Sequence, residues 1–181
     1  ITTLLAGVYM QGGNILSFKD IKLGIPFSFT LLTILGFHEF GHYFYAKKNN
    51  IKVSLPYFIP APTFIGTFGA LIKIKSPITT KKALLEIGAS GPIAGFLVTI
   101  PLLVYGLKMS TVIDIYPDSG IILGEPLLMK FFTFLIFPNL SESQDIILHP
   151  IGFASWIGLL ITMLNLLPIG QLDGCLLYTS D

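Results

Sequence analysis

The sequence predicts a mainly α-helical, polytopic transmembrane helix bundle that carries one small β-hairpin. Three observations lead there. Mean hydropathy is +0.78 and charged residues make up only 12% of the chain, about half of what a soluble domain carries. Apolar stretches at about 24–46, 84–107 and 151–168 each approach the roughly 17–25 residues needed to cross the hydrocarbon core of a bilayer. All eleven basic residues are lysines, and seven of them (Lys47, Lys48, Lys52, Lys73, Lys75, Lys81, Lys82) fall between the first and second stretches.

Taken in order, Ile1 to Met10 reads as the remaining end of another helix. No start methionine and no charged leader precede it, so the chain is expected to be a fragment with this helix partial. The first full span follows, and its lysine-rich exit faces the cytoplasm by the positive-inside rule. Thr63 to Ser76 then carries the alternation Ile72, Lys73, Ile74, Lys75 expected of a strand, with Gly66 and Gly69 as turn or close-approach positions. In the second span Gly88, Gly91 and Gly95, with Ala94 nearby, place small residues on one side of a helix, which lets helix backbones approach closely in lipid. That face is expected to press on the first span. Leu127 to Phe137 is too short to cross, and 151–168 forms the third span. Phe131, Phe132, Phe134 and Trp156 suit lipid or core contacts.

A net charge of +1 gives no footprint for nucleic acid. Cys175 is the only cysteine, which excludes an internal disulfide and any cysteine-rich metal site.

Within the first span, Leu23 to Ala46 contains no acidic, basic or imidazole group except His38, Glu39 and His42. These form H-E-x-x-H. Positions i and i+4 of a helix differ by about 40° of rotation and about 6 Å of rise, so His38 and His42 can offer imidazole nitrogens to one ion, with zinc the default. Glu39 lies roughly 100° around from His38, placed to accept a proton from an activated water without being a ligand. With three His and four Glu in the chain, chance would produce this arrangement on the order of once per thousand shuffled sequences. Ionisable groups at membrane depth are costly and rarely idle.

A catalytic zinc site usually takes three protein ligands. His149 precedes Pro150 at the start of a span and suits an interfacial or capping role. Asp173 is the better candidate. It follows Asn165-Leu166-Leu167-Pro168-Ile169-Gly170-Gln171-Leu172, where Pro168 and Gly170 should break the helix and turn Asp173 inward.

His38-Glu39-Phe40-Gly41-His42, Gly91-Pro92-Ile93-Ala94-Gly95 and Asn165 through Gly174 together resemble the site-2 protease family of intramembrane zinc metalloproteases. The resemblance is to bacterial, archaeal and plastid members without a PDZ insert, because the 36 residues from Lys47 to Lys82 cannot hold such a domain. It implies one zinc per chain on His38, His42 and Asp173, Glu39 as the base, and cleavage of the transmembrane segments of other membrane proteins within the lipid bilayer. Asn165 matches the family position that holds substrate or the developing oxyanion. Thr63 to Ser76 resembles the family's membrane-associated β-hairpin, whose free edge, near Gly66 and Gly69, could pair with an unwound substrate; an interfacial cap is the plainer reading of the same strand. Ser90 has no assigned base and suits packing. The chain departs from the family after Asp173-Gly174, where a further glycine and histidine are usual. Residues 1–174 are therefore expected to form the protease core and 175–181 a truncated or non-native tail.

A transporter with an intramembrane metal site is the rival function, though repeated halves or paired broken helices are not visible. The expected location is a prokaryotic plasma membrane with the site open to the cytoplasm. The lysine-only composition does not distinguish this from a plastid membrane.

Overall fold

The computed structural model describes residues 1–114, 124–141, 143–167, 169 and 172–178. The element order is α1 (Thr2–Met10), α2 (Ile21–Lys48), β1 (Tyr57–Pro60), β2 (Thr67–Leu71), α3 (Lys81–Lys108), β3 (Thr111–Asp114), α4 (Leu127–Ile136), β4 (Gln144–Ile147), α5 (Pro150–Asn165) and α6 (Asp173–Tyr178). The chain is mainly helical, with two small antiparallel sheets, β1–β2 and β3–β4.

The two 28-residue helices, α2 and α3, are long and apolar enough to cross a membrane. Lys47 and Lys48 occupy the last turn of α2, where cations complement the helix dipole, and the Thr80 hydroxyl accepts from the Ala83 amide to cap α3. The helices run antiparallel, since Gly41 lies against Ser90 while His38 lies against Gly95. A Cβ on Gly41 would collide with the Ser90 carbonyl, so the close approach expected of the small residues in α3 is met, with α2 contributing a glycine of its own. α5 packs antiparallel to α3, with Gly106 against Gly152 and Thr99 against Gly158.

The third expected span is shorter than its apolar stretch. α5 ends at Asn165 after 16 residues, about 24 Å, short of the roughly 30 Å hydrocarbon core. Asn165, the last residue of α5, turns its side chain toward His38 of α2. Pro168 and Gly170, to which the sequence assigns the break, lie outside the described residues. α1 and α4 match the short helices expected.

The predicted hairpin is present with different strands. Thr67–Leu71 pairs with Tyr57–Pro60 through Phe58↔Ala70 and Tyr57↔Leu71, whereas the alternating Ile72–Lys75 segment contributes only an isolated bridge, Val53↔Ile74. In that segment Ile72 and Ile74 line a cavity beside α2 and the lysines do not. Gly66 (φ +81°) makes the turn and Gly69 (φ +109°) sits within β2, in backbone conformations that favour glycine. Ala70 packs with Phe27, Leu31 and Leu35 of α2 and with Ala154 and Ile157 of α5. The hairpin tip reaches α1 and α5: Gly66 abuts the Thr2 backbone and the Phe64 ring lies 6.3 Å from Phe153. Residues 175–178 continue α6, and 179–181 lie outside the described residues.

Candidate metal centre

His38, Glu39 and His42 are buried on α2, within three turns of its lysine-bearing end. α6 brings the third group. A Cβ on Gly174 would overlap the carbonyls of Leu166 and Leu167, so a glycine there lets the start of α6 fold back onto the end of α5, and Asp173 points at the imidazoles. Asp173 Oδ2 lies 3.0 Å from His38 Nε2 and 3.1 Å from His42 Nε2. The two Nε2 atoms are 3.2 Å apart.

Two imidazole nitrogens and a carboxylate oxygen form a donor set suited to zinc. Ligands about 2.0–2.1 Å from a tetrahedral ion lie roughly 3.3–3.4 Å from one another, close to the observed spacings. The donors therefore fit zinc in both chemistry and separation. Among the described residues, these three are the His, Cys, Asp and Glu side chains close enough to share an ion. His149 is elsewhere: it caps α5, its Nδ1 accepting from the Ile151 amide at 3.3 Å. Burial lowers its pKa, which favours the neutral ring that this bond requires.

The centre opens into a cavity of about 510 Å³ lined by polar Glu39 and Asn165, by Leu35 and Ile161, and by β2 with the residues that follow it. The Asn165 side-chain nitrogen lies 3.2 Å from His38 Nε2. Gly69 lines this cavity; Gly66 does not belong to it and instead turns the hairpin against α1.

The hairpin offers the cavity a backbone edge. Ser54 N–H donates to the Lys73 carbonyl at 2.9 Å and Lys75 N–H to the Lys52 carbonyl at 2.7 Å. Alternate residues of an antiparallel strand direct their backbone groups to opposite edges, so Ile72 and Ile74 turn theirs the other way, toward the cavity that both residues line. Ile72 and the Glu39 carboxylate line this cavity together.

Two contributors had no signal in the sequence. The cavity-lining backbone at Ile72 is one. The other is the Ile87 carbonyl of α3, which accepts from His42 Nδ1 at 2.7 Å. Every residue carries such groups, and only the fold aims them.

A sequence profile described as Peptidase family M50 matches residues 26–180. The chain is 33% identical over 170 residues to the probable zinc metalloprotease EGY2, chloroplastic, of Arabidopsis thaliana, a match covering 91% of the chain and 30% of the relative. It is also 33% identical over 168 residues to the probable zinc metalloprotease EGY1, chloroplastic, of the same plant, covering 88% of the chain and 30% of that protein. To the corresponding EGY2 protein of Oryza sativa subsp. indica it is 32% identical over 179 residues, 96% of the chain and 33% of the relative. The chain thus spans about a third of the length of these relatives. Their names place them in chloroplasts, which gives no support to the prokaryotic plasma membrane expected from the sequence. No solved structure matches the chain.

Proposed function

Because the chain belongs to peptidase family M50, the site-2 protease family, we propose that it is the core of a zinc metalloendopeptidase that cuts transmembrane segments of other membrane proteins within the bilayer. His38, His42 and Asp173 hold the ion and Glu39 is the general base. The observation that carries this reading is the meeting of Nε2, Nε2 and Oδ2 within 3.0–3.2 Å in a cavity that Glu39 also lines. Membership of a peptidase family favours hydrolysis over the rival transport function.

Zinc bound by these residues supplies Lewis acidity, bringing the pKa of a water toward neutrality and polarising a peptide carbonyl. Glu39 accepts the proton of the attacking water and returns it to the leaving amine. Asn165, at the rim of the donor cluster, offers its amide to the substrate carbonyl as negative charge develops there.

A peptidase must hold an extended chain, and membrane-spanning substrates arrive helical. The cavity-side edge at Ile72 and Ile74 supplies backbone partners for such a chain by strand addition, and Gly69 keeps the neighbouring wall low. The lipid setting is supported by the length of α2 and α3 and by their exposed side chains, among them Phe29, Phe37, Phe44 and Leu97. The lysine-rich connection between α2 and α3 supports a mouth on the side of the membrane that retains positive loops. Reconstituted into proteoliposomes with a transmembrane substrate, the protein should lose cleavage to a chelator and regain it with added zinc. Cleavage that survives removal of the metal would exclude the reading.

A further inference from the structure

We propose that the Ile87–Gly91 turn of α3 is a positioning element for His42: the Ile87 carbonyl fixes which ring nitrogen carries the hydrogen, and the missing side chain of Gly91 houses the ring. This rests on the reading that His42 is a metal ligand.

A carbonyl only accepts, so the 2.7 Å contact between His42 Nδ1 and Ile87 O requires the hydrogen on Nδ1. Nε2 is then left with its lone pair facing Asp173 and His38, the tautomer that a metal ligand needs. The same carbonyl accepts from Ser90 Oγ at 2.8 Å. Two residues on, Pro92 lies inside α3 and has no N–H to give the Gly88 carbonyl.

Close helix packing explains Gly41, whose absent Cβ would strike the α3 backbone, but it does not explain Gly91. A Cβ on Gly91 would overlap Nε2, Cδ2 and Cε1 of the His42 ring itself. Gly95 is different in degree, since a Cβ there would lie 3.2 Å from His38 Cβ and 3.3 Å from its Nδ1, tight but without overlap. α3 therefore grips one histidine of the pair, His42, by both a hydrogen bond and a shaped space.

The test is a double-substitution cycle on zinc affinity, measured by competition with a chelator on the purified chain. Gly91→Ala should weaken zinc binding about 10- to 100-fold, the range seen when groups that orient a ligand are lost. In a His42→Cys background, where a thiolate can still bind zinc and no ring fills the space, the same change should cost less than about 3-fold, because the two sites then no longer interact. Equal losses in both backgrounds would overturn the inference and leave Gly91 as a packing residue. Failure of the unaltered chain to bind zinc would instead refute the metal site. A second measurement needs no metal: nitrogen NMR of labelled imidazoles should report His42 with its hydrogen on Nδ1, and Gly91→Ala should shift those signals while sparing His149. Unmoved His42 signals would also overturn it.

Discussion

His38 and Asp173 stand 135 positions apart in the chain, and their Nε2 and Oδ2 atoms lie 3.0 Å apart. The same carboxylate oxygen reaches His42 Nε2 at 3.1 Å, so one atom of Asp173 joins both imidazoles of the helical pair. Asp173→Ala removes that donor and leaves two ligands on one helix. Zinc affinity should fall by more than about 100-fold, beyond the range for groups that only orient a ligand. Metal analysis of the purified variant beside the unaltered protein checks this, and unchanged stoichiometry and affinity would place the third ligand elsewhere.

Ile72 lines the cavity with Glu39 and turns its backbone edge toward it. Ile72→Pro deletes the backbone donor at that edge. Cleavage of a transmembrane substrate should drop by roughly 10-fold or more, as befits lost backbone pairing, while zinc content stays near one per chain. Leu71→Pro should act in the same direction. Substrates with Gly or Pro in their membrane span should be cut faster, since less helix has to be unwound. Normal cleavage by both proline variants, with no dependence on substrate helicity, would reduce the hairpin to an interfacial cap.

Asn165 touches the donor cluster through a neutral amide and is no ligand. Asn165→Ala should keep zinc and lower kcat by about 100- to 1,000-fold, the loss typical when one donor to a developing oxyanion is removed. A variant that keeps its rate would show that the amide does not act on the substrate.

The parts of this site that could be read in advance are those whose geometry is local. His38 and His42 meet because any helix brings i and i+4 together, and Glu39 follows from the same rotation. Gly66 and Gly69 stood out because positive φ favours glycine, and both have it. Asp173 was legible from the proline and glycine around it, although the mechanism assigned to Pro168 and Gly170 falls on residues outside those described. What was not legible depends on tertiary placement. Tyr57–Pro60 became a strand only because Thr67–Leu71 lies beside it, and no alternation marks either segment. The β3–β4 pair escaped for the same reason. The length of α5 was overestimated because Leu166 and Leu167 are apolar, so hydropathy alone carried the span past Asn165, where the helix ends.

The membrane setting has its own check. α2 and α3 expose Phe29, Phe44 and Leu97, surfaces that water would not tolerate as a contiguous patch. Extraction of membranes at high pH with carbonate should leave the chain in the pellet. Release into the supernatant would contradict the intramembrane reading.

The central claim is that three residues hold a metal while a fourth does the proton chemistry, and Glu39→Gln separates those roles most directly. The amide preserves the size of the side chain but cannot take a proton from water. Zinc content and cleavage of a transmembrane substrate should be measured on the same proteoliposome preparation. The account predicts zinc at the unaltered level, about one per chain, with peptide cleavage lost. Cleavage at the unaltered rate, or zinc lost together with cleavage, would contradict it.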